Sequence, residues 1–181
     1  MSGTVLTGCL CFGNDVPRKN VVLRFLRSEL LYDVSNNAFI ESDVLGDANQ
    51  HGSHLLADVA EKGNVDRVSR ILALVHASVV EMLYPYTKQT PVDETLNNVM
   101  SEPTEYIITM SIPETMSRTT LELLTQQIHE YIVASVLADW LSITHPDASA
   151  KWKEKADQRR EEITSSKNYR SRVFTRKISP I

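Results

Sequence analysis

The residue types that hold metal ions gather between Glu41 and Gly63, where Asp43, Asp47, His51, His54 and Asp58 share one polar stretch. The spacing His51-x-x-His54 would set two imidazoles on one side of a helical turn, an arrangement that Zn²⁺ or Ni²⁺ accepts. Gly46 and Gly52 argue instead for a loop, where histidines are ordinarily solvated, and no defined motif supplies further ligands. No metal is therefore expected. Cys9 and Cys11 lack the second pair of a structural zinc site and read as two reduced thiols. His129-Glu130 opens the zinc-protease pattern, but Val133 stands where the second histidine belongs. His129 is expected at the edge of the core rather than as a general base, since no partner group accompanies it. Asp139, beside Trp140 in an apolar run, is expected to be a buried charge, paired with Arg67 or Arg70 or capping a neighbouring helix. There is no P-loop, no dinucleotide-binding glycine fingerprint and no G-x-S-x-G. The sequence thus offers no catalytic residue and no cofactor site, and does not read as an enzyme.

Charge is the stronger signal. Ten cations against four acids give residues 151–181 a charge of +6, and because the whole chain carries −4, the first 150 residues hold −10. A basic end on an acidic body implies an acidic partner, either a neighbouring copy or nucleic acid. From Asn168 to Ile181 the chain has no acid and mixes Arg170, Arg172, Arg176 and Lys177 with Tyr169, Val173, Phe174 and Ile178. A solvated tail would be poorer in aromatics. On DNA, such an arm would track phosphates without sequence preference, with Tyr169 or Phe174 stacking on bases. No helix-turn-helix or zinc-finger pattern supports a specific mode.

The elements that must carry these residues are mostly helical. At 181 residues the chain is long enough for one domain with a sizeable core. No stretch approaches the ~18 uninterrupted apolar residues of a membrane span, and no membrane contact is expected. The organising stretch is Thr120 to Ile143, with Ser117 as N-cap and Pro146 as stop. Leu124, Ile128, Ile132, Val136 and Trp140 recur at steps of four and are expected in the core. Helices are also expected over Ser28–Ile40, capped by Ser28, and from Val65, capped by Asn64 and ended by Pro85. Asp66 and Arg70 stand at ion-pair spacing there. A more polar helix is expected over about Asp147–Ser165, with Trp152 meeting Trp140 across the turn. Glu105–Pro113 alternates as a strand whose partner is the run at Val21–Phe25 or the same strand in another copy; Val21–Leu26 alone reads as either a strand or a helix lead-in. The expected fold is mainly α: a bundle of about four helices, one or two short strands, and extended N- and C-terminal arms. Residues 1–20 form the N-terminal arm, 21–166 the helical domain and 167–181 the basic C-terminal arm.

The runs ELLYDV (Glu29–Val34), GNVDRVSRIL (Gly63–Leu72), EMLYPYTK (Glu81–Lys88) and IHEYIV-x-x-VLADWLSIT-x-P (Ile128–Pro146) resemble a set of small uncharacterised proteins encoded in virion-structure gene clusters of phages and prophages of gut bacteria. The resemblance covers about Val21 to Arg172 and rests on packing motifs. In such clusters a mainly helical protein of this size is similar to head–tail connector (neck, head-completion) proteins. That resemblance implies a homo-oligomeric ring between portal and tail, portal and tail proteins as partners, and a place in the virion neck after assembly in the bacterial cytoplasm. A tail-completion protein or assembly chaperone is the competing structural role. Passing contact with DNA is compatible with either. Arg170, Arg172, Phe174, Arg176 and Lys177 are the residues expected to dock on the adjacent subunit or the portal. Deleting residues 168–181 is expected to abolish assembly in light scattering while leaving the far-ultraviolet helical signal unchanged.

Overall fold

The longest helix is built to be surrounded. In the stretch Ile132 to Leu137 every side chain but the half-buried Ser135 is removed from solvent: Ile132, Val133, Ala134, Val136 and Leu137. A helix apolar around its whole circumference needs neighbours on several sides. It finds three. The computed structural model describes residues 17–44, 59, 63–89, 97, 99 and 102–168. Within them the element order is β1 (Arg18–Leu26), α1 (Arg27–Val44), α2 (Val65–Met82), β2 (Glu105–Pro113), α3 (Arg118–Thr144) and α4 (Pro146–Asn168). α1, α2 and α4 all pack against α3. Helix accounts for 69% of the described residues, which places the protein in the mainly α class, with four described helices and one two-stranded antiparallel sheet.

The ends of α3 follow local chemistry. Ser117 sits in extended backbone and its Oγ accepts the Thr120 N–H at 3.2 Å, satisfying one of the free amides of the first turn. At the other end the His145 N–H returns to the Leu141 carbonyl at 2.8 Å. The His145 Nδ1 accepts the Ala148 N–H at 3.2 Å, so this side chain closes one helix and caps the next. Pro146 takes the first position of α4, where its missing N–H costs nothing. α4 buries only Ala148, Trp152, Ala156 and Ile163, a narrow stripe laid on α3.

The two strands pair in full register, Arg18 with Pro113 through Leu26 with Glu105. One face of the ribbon, Leu23 and Phe25 with Tyr106, Ile108, Met110 and Ile112, enters the same core as the helices. Val22, Arg24 and Leu26 face outward. Of the expected core residues, Leu124, Ile128, Ile132, Val136 and Trp140 are all buried.

Several local expectations are corrected. β1 begins at Arg18, inside the segment 1–20 expected to be an arm, and α4 carries Lys167 and Asn168 beyond the expected boundary at 166. Ser28 is not a cap. The strand runs into α1 with no linker, because the Arg27 N–H still bonds across the ladder to the Thr104 carbonyl at 3.0 Å while Arg27 starts the helix. Asn64 precedes α2 as expected, but it receives the Val68 N–H on its backbone carbonyl and its side chain makes no capping bond. Asp66 and Arg70 form no ion pair; both stand exposed in water, where such pairs gain little. The two indoles face different neighbours: Trp152 donates to Glu41 Oε1 at 3.0 Å, and the Arg67 guanidinium lies over Trp140 at 5.3 Å. No described helix is long and apolar enough to cross a membrane.

Ile132 is 1% exposed at the centre of α3. Ile132→Ala is expected to lower the unfolding free energy by about 2–5 kcal/mol in urea titration, whereas Leu123→Ala, on the solvent side of the same helix, is expected to change it by no more than about 0.5 kcal/mol.

Candidate functional site

Polar side chains collect where β1, α1, α2 and β2 meet. Arg27, first residue of α1, donates from Nη2 to Ser69 Oγ at 2.9 Å and faces Glu102 Oε2 at 3.5 Å. Tyr106 packs against His76 with ring centroids 5.3 Å apart. The His76 Nε2–H donates to the Ile107 carbonyl at 3.1 Å. Burial holds the His76 imidazolium below the usual histidine range, against the pull of that carbonyl. Burial likewise raises the Tyr106 phenol, with Arg27 opposing and Glu102 adding to the rise. Tyr106 Oη and Arg27 Nε are buried without a hydrogen-bond partner. The arrangement ties the strand–helix junction to α2.

Three further ties join the helices. His129 Nε2 lies 2.7 Å from Asp33 Oδ2, half-buried between α3 and α1. This is the core-edge position expected of His129, with a partner 96 residues away in sequence. At the far end of α2, Lys167 Nζ donates to the Met82 and Tyr84 carbonyls at 2.5 and 3.0 Å. A lysine on the free carbonyls of a helix end also meets the negative pole of its dipole. Burial lowers its pKa from the usual lysine value. Asp139 pairs with Arg67, one of the two expected partners, at 3.3 Å. Its side chain is 55% exposed, which overturns the expectation of a buried charge. Trp140 is buried, and one step of 100° around the helix turns its neighbour out to water.

Among the described residues, two surfaces lack partners. The first is the outer face of α1, where Tyr32, Phe39 and Ile40 are 70, 61 and 51% exposed on the side opposite the buried Leu30, Val34 and Ala38. The second is an edge of the ribbon. Arg27 N–H to Thr104 and Glu114 N–H to Pro17 show that odd-numbered residues of β1 bond to β2. Asn20, Val22 and Arg24 therefore point their backbone N–H and C=O groups away from β2, and no hydrogen bond from any described residue reaches them. The opposite edge, on β2, is engaged at two points: the His76 Nε2–H donates to the Ile107 carbonyl, and the Ser111 N–H donates to the Tyr86 carbonyl at 2.7 Å.

The docking residues expected from sequence, Arg170, Arg172, Phe174, Arg176 and Lys177, lie outside the described residues, as do His51, His54, Cys9, Cys11 and most of the expected N-terminal arm. Among the described residues no group of three or more His, Cys, Asp or Glu is placed to hold a metal ion. The outer face of α4 borders an open depression of about 640 Å³, lined by mixed charges such as Asp157, Arg160 and Glu161 that converge on nothing. Tyr32, Phe39 and Ile40 were not legible as a surface from sequence, although a helical projection of residues 28–43 places them together. No protein-family model, curated protein or solved structure matches the sequence.

His76 gives this region a pH dependence. Below its ordinary pKa of 6.5 the unfolded chain takes up a proton that the folded side chain resists, so stability falls as pH drops through that window and recovers above it. His76→Gln removes the linkage. Its melting temperature is expected to fall less steeply than that of the unsubstituted protein between pH 7.5 and 5.5 in differential scanning calorimetry.

Proposed function

We propose that this protein is a structural subunit of a phage virion, a head–tail connector (neck, head-completion) protein that assembles into a ring between portal and tail. The observation that carries this reading is the edge of β1, which no described residue pairs. A two-stranded ribbon is marginal by itself, and an open edge of successive N–H and C=O groups is a template for another strand. Soluble monomers cover or blunt such edges. Here the β2 edge is tied to α2 at Ile107 and to the turn that follows it at Ser111, while no described residue bonds to the outward backbone groups of Asn20, Val22 and Arg24 on β1, whose outer face carries apolar Val22 and Leu26. The pattern suits a subunit completed by its neighbours. The resemblance of the Glu29–Val34, Gly63–Leu72, Glu81–Lys88 and Ile128–Pro146 runs to virion-module proteins supplies the setting. The polar clusters, each spent on tying elements together, favour a scaffold over a reaction centre.

The strand register provides a clean test. The Val22 N–H points away from β2, so Val22→Pro leaves every β1–β2 hydrogen bond in place while denying the edge a donor. Light scattering with negative-stain imaging is expected to show rings for the unsubstituted chain and none for Val22→Pro, with both sharing one urea midpoint. The Leu23 N–H belongs to the ladder, and Leu23→Pro is expected to lower stability by about 3 kcal/mol. Rings that persist in Val22→Pro would remove the β1 edge from the assembly, and a chain that stays monomeric with and without portal protein would end the connector reading.

A further inference from the structure

The outer face of α1 is complementary to one particular segment of the chain. We propose that it receives residues 169–181 of a neighbouring copy, an inference that rests on the assembly reading above.

α1 is unusual in having two apolar sides. Its inner side is buried on α3 and β1, and its outer side presents Tyr32, Phe39 and Ile40 to solvent. These are framed by polar positions at helical spacing: Glu29 at one end, Asn36 between, and Asp43 at the other, all exposed. Residues 28–44 hold four acids, Glu29, Asp33, Glu41 and Asp43, and no lysine or arginine. Asp33 and Glu41 are engaged by His129 and Trp152 inside the molecule, which leaves Glu29 and Asp43 for an outside partner. An apolar strip between two carboxylates fits a segment with apolar residues between cations.

Residues 169–181 have that composition: Arg170, Arg172, Arg176 and Lys177, no acid, and the apolar Tyr169, Val173, Phe174 and Ile178. Its cations answer the free carboxylates of Glu29 and Asp43. Length is also sufficient. α4 ends at Asn168, anchored one residue earlier by Lys167 on the carboxyl end of α2. The thirteen residues beyond it span up to about 43 Å when extended, against about 27 Å for the axis of α1. The segment can therefore leave its own subunit and still cover the face of the next, which makes each copy both donor and acceptor. Such a heterologous contact is the kind that closes into a ring.

The test places the photo-crosslinking residue p-benzoylphenylalanine at Phe39 in the full-length chain, where the native ring is already 61% exposed. Irradiation of the assembled protein is expected to give multimers on a denaturing gel, with peptide mass spectrometry locating the crosslinks in residues 169–181. Combining Arg170→Glu with Arg172→Glu is expected to reduce the crosslink by about tenfold, the equivalent of ~1.4 kcal/mol. Adding Glu29→Lys and Asp43→Lys to that chain is expected to restore it, a rescue that misfolding could not produce. Crosslinks confined to one chain, or to other residues, would overturn the exchange between copies. So would a missing crosslink accompanied by salt-sensitive binding of duplex DNA by the same arginines. Rings without the crosslink would sink this inference and leave the assembly reading standing. Absence of both rings and crosslink would sink the two together.

Discussion

Everything in this fold depends on burying α3. Helices that border solvent show one apolar stripe and one polar face, but the middle of α3 has no polar face to show. Its hydrophobic demand is met only when α1, α2 and α4 stand around it. The side-chain ties then fix their positions: Asp33 with His129 for α1, Arg67 with Asp139 for α2, and the His145 turn for α4. Each of these polar contacts is worth about 1 kcal/mol or less beside the burial of the apolar residues. Their role is to choose one arrangement among several that would bury α3 equally well.

The ribbon adds a second constraint, one of direction. Because alternate residues of β1 bond to β2, the same register that buries Leu23 and Phe25 aims the amides of Asn20, Val22 and Arg24 outward. A slip of one residue would expose the buried face and reverse the edge. Since Arg27 belongs both to the ladder and to the first turn of α1, the orientation of the strand also fixes that of the helix. The open edge and the apolar outer face of α1 are therefore held as one rigid unit, so a neighbour that engages one finds the other at a set angle.

What could be read from sequence follows from how local each cause is. α3 was legible because its stripe repeats over twenty-seven residues and its boundaries carry Ser117 and Pro146. β2 was legible because Tyr106, Ile108, Met110 and Ile112 alternate without a break, and its partner lay in the run expected. The β1–α1 boundary was not, because no Gly or Pro punctuates Phe25 to Glu29 and the cause of the change is a hydrogen bond to distant Thr104. The outer face of α1 was hidden for the opposite reason: apolar residues on two sides cancel any periodic signal. The exposure of Asp139 turned on a single helical step, and the partner of His129 on a tertiary contact. The fold class was written in local periodicity, and the open edge of β1 and the outer face of α1 emerge only once distant segments meet.

The pairing of β1 with β2 bears on how the chain is made. Their register joins residues 18 to 113 and 26 to 105, so each residue of β1 waits for a partner 79 to 95 positions downstream. At a synthesis rate of about 5–20 residues per second, β1 is out of the ribosome for several seconds before the strand that pairs with it exists. α3, at the centre of the core that the Leu23 and Phe25 face enters, comes later still. The nascent chain therefore carries a β-prone segment through most of its synthesis with nothing of its own to pair with. Arg18, Lys19, Arg24 and Arg27, spaced along and just after that segment, act as gatekeepers in this interval. Their mutual repulsion keeps one unfinished chain from adding its strand to the next.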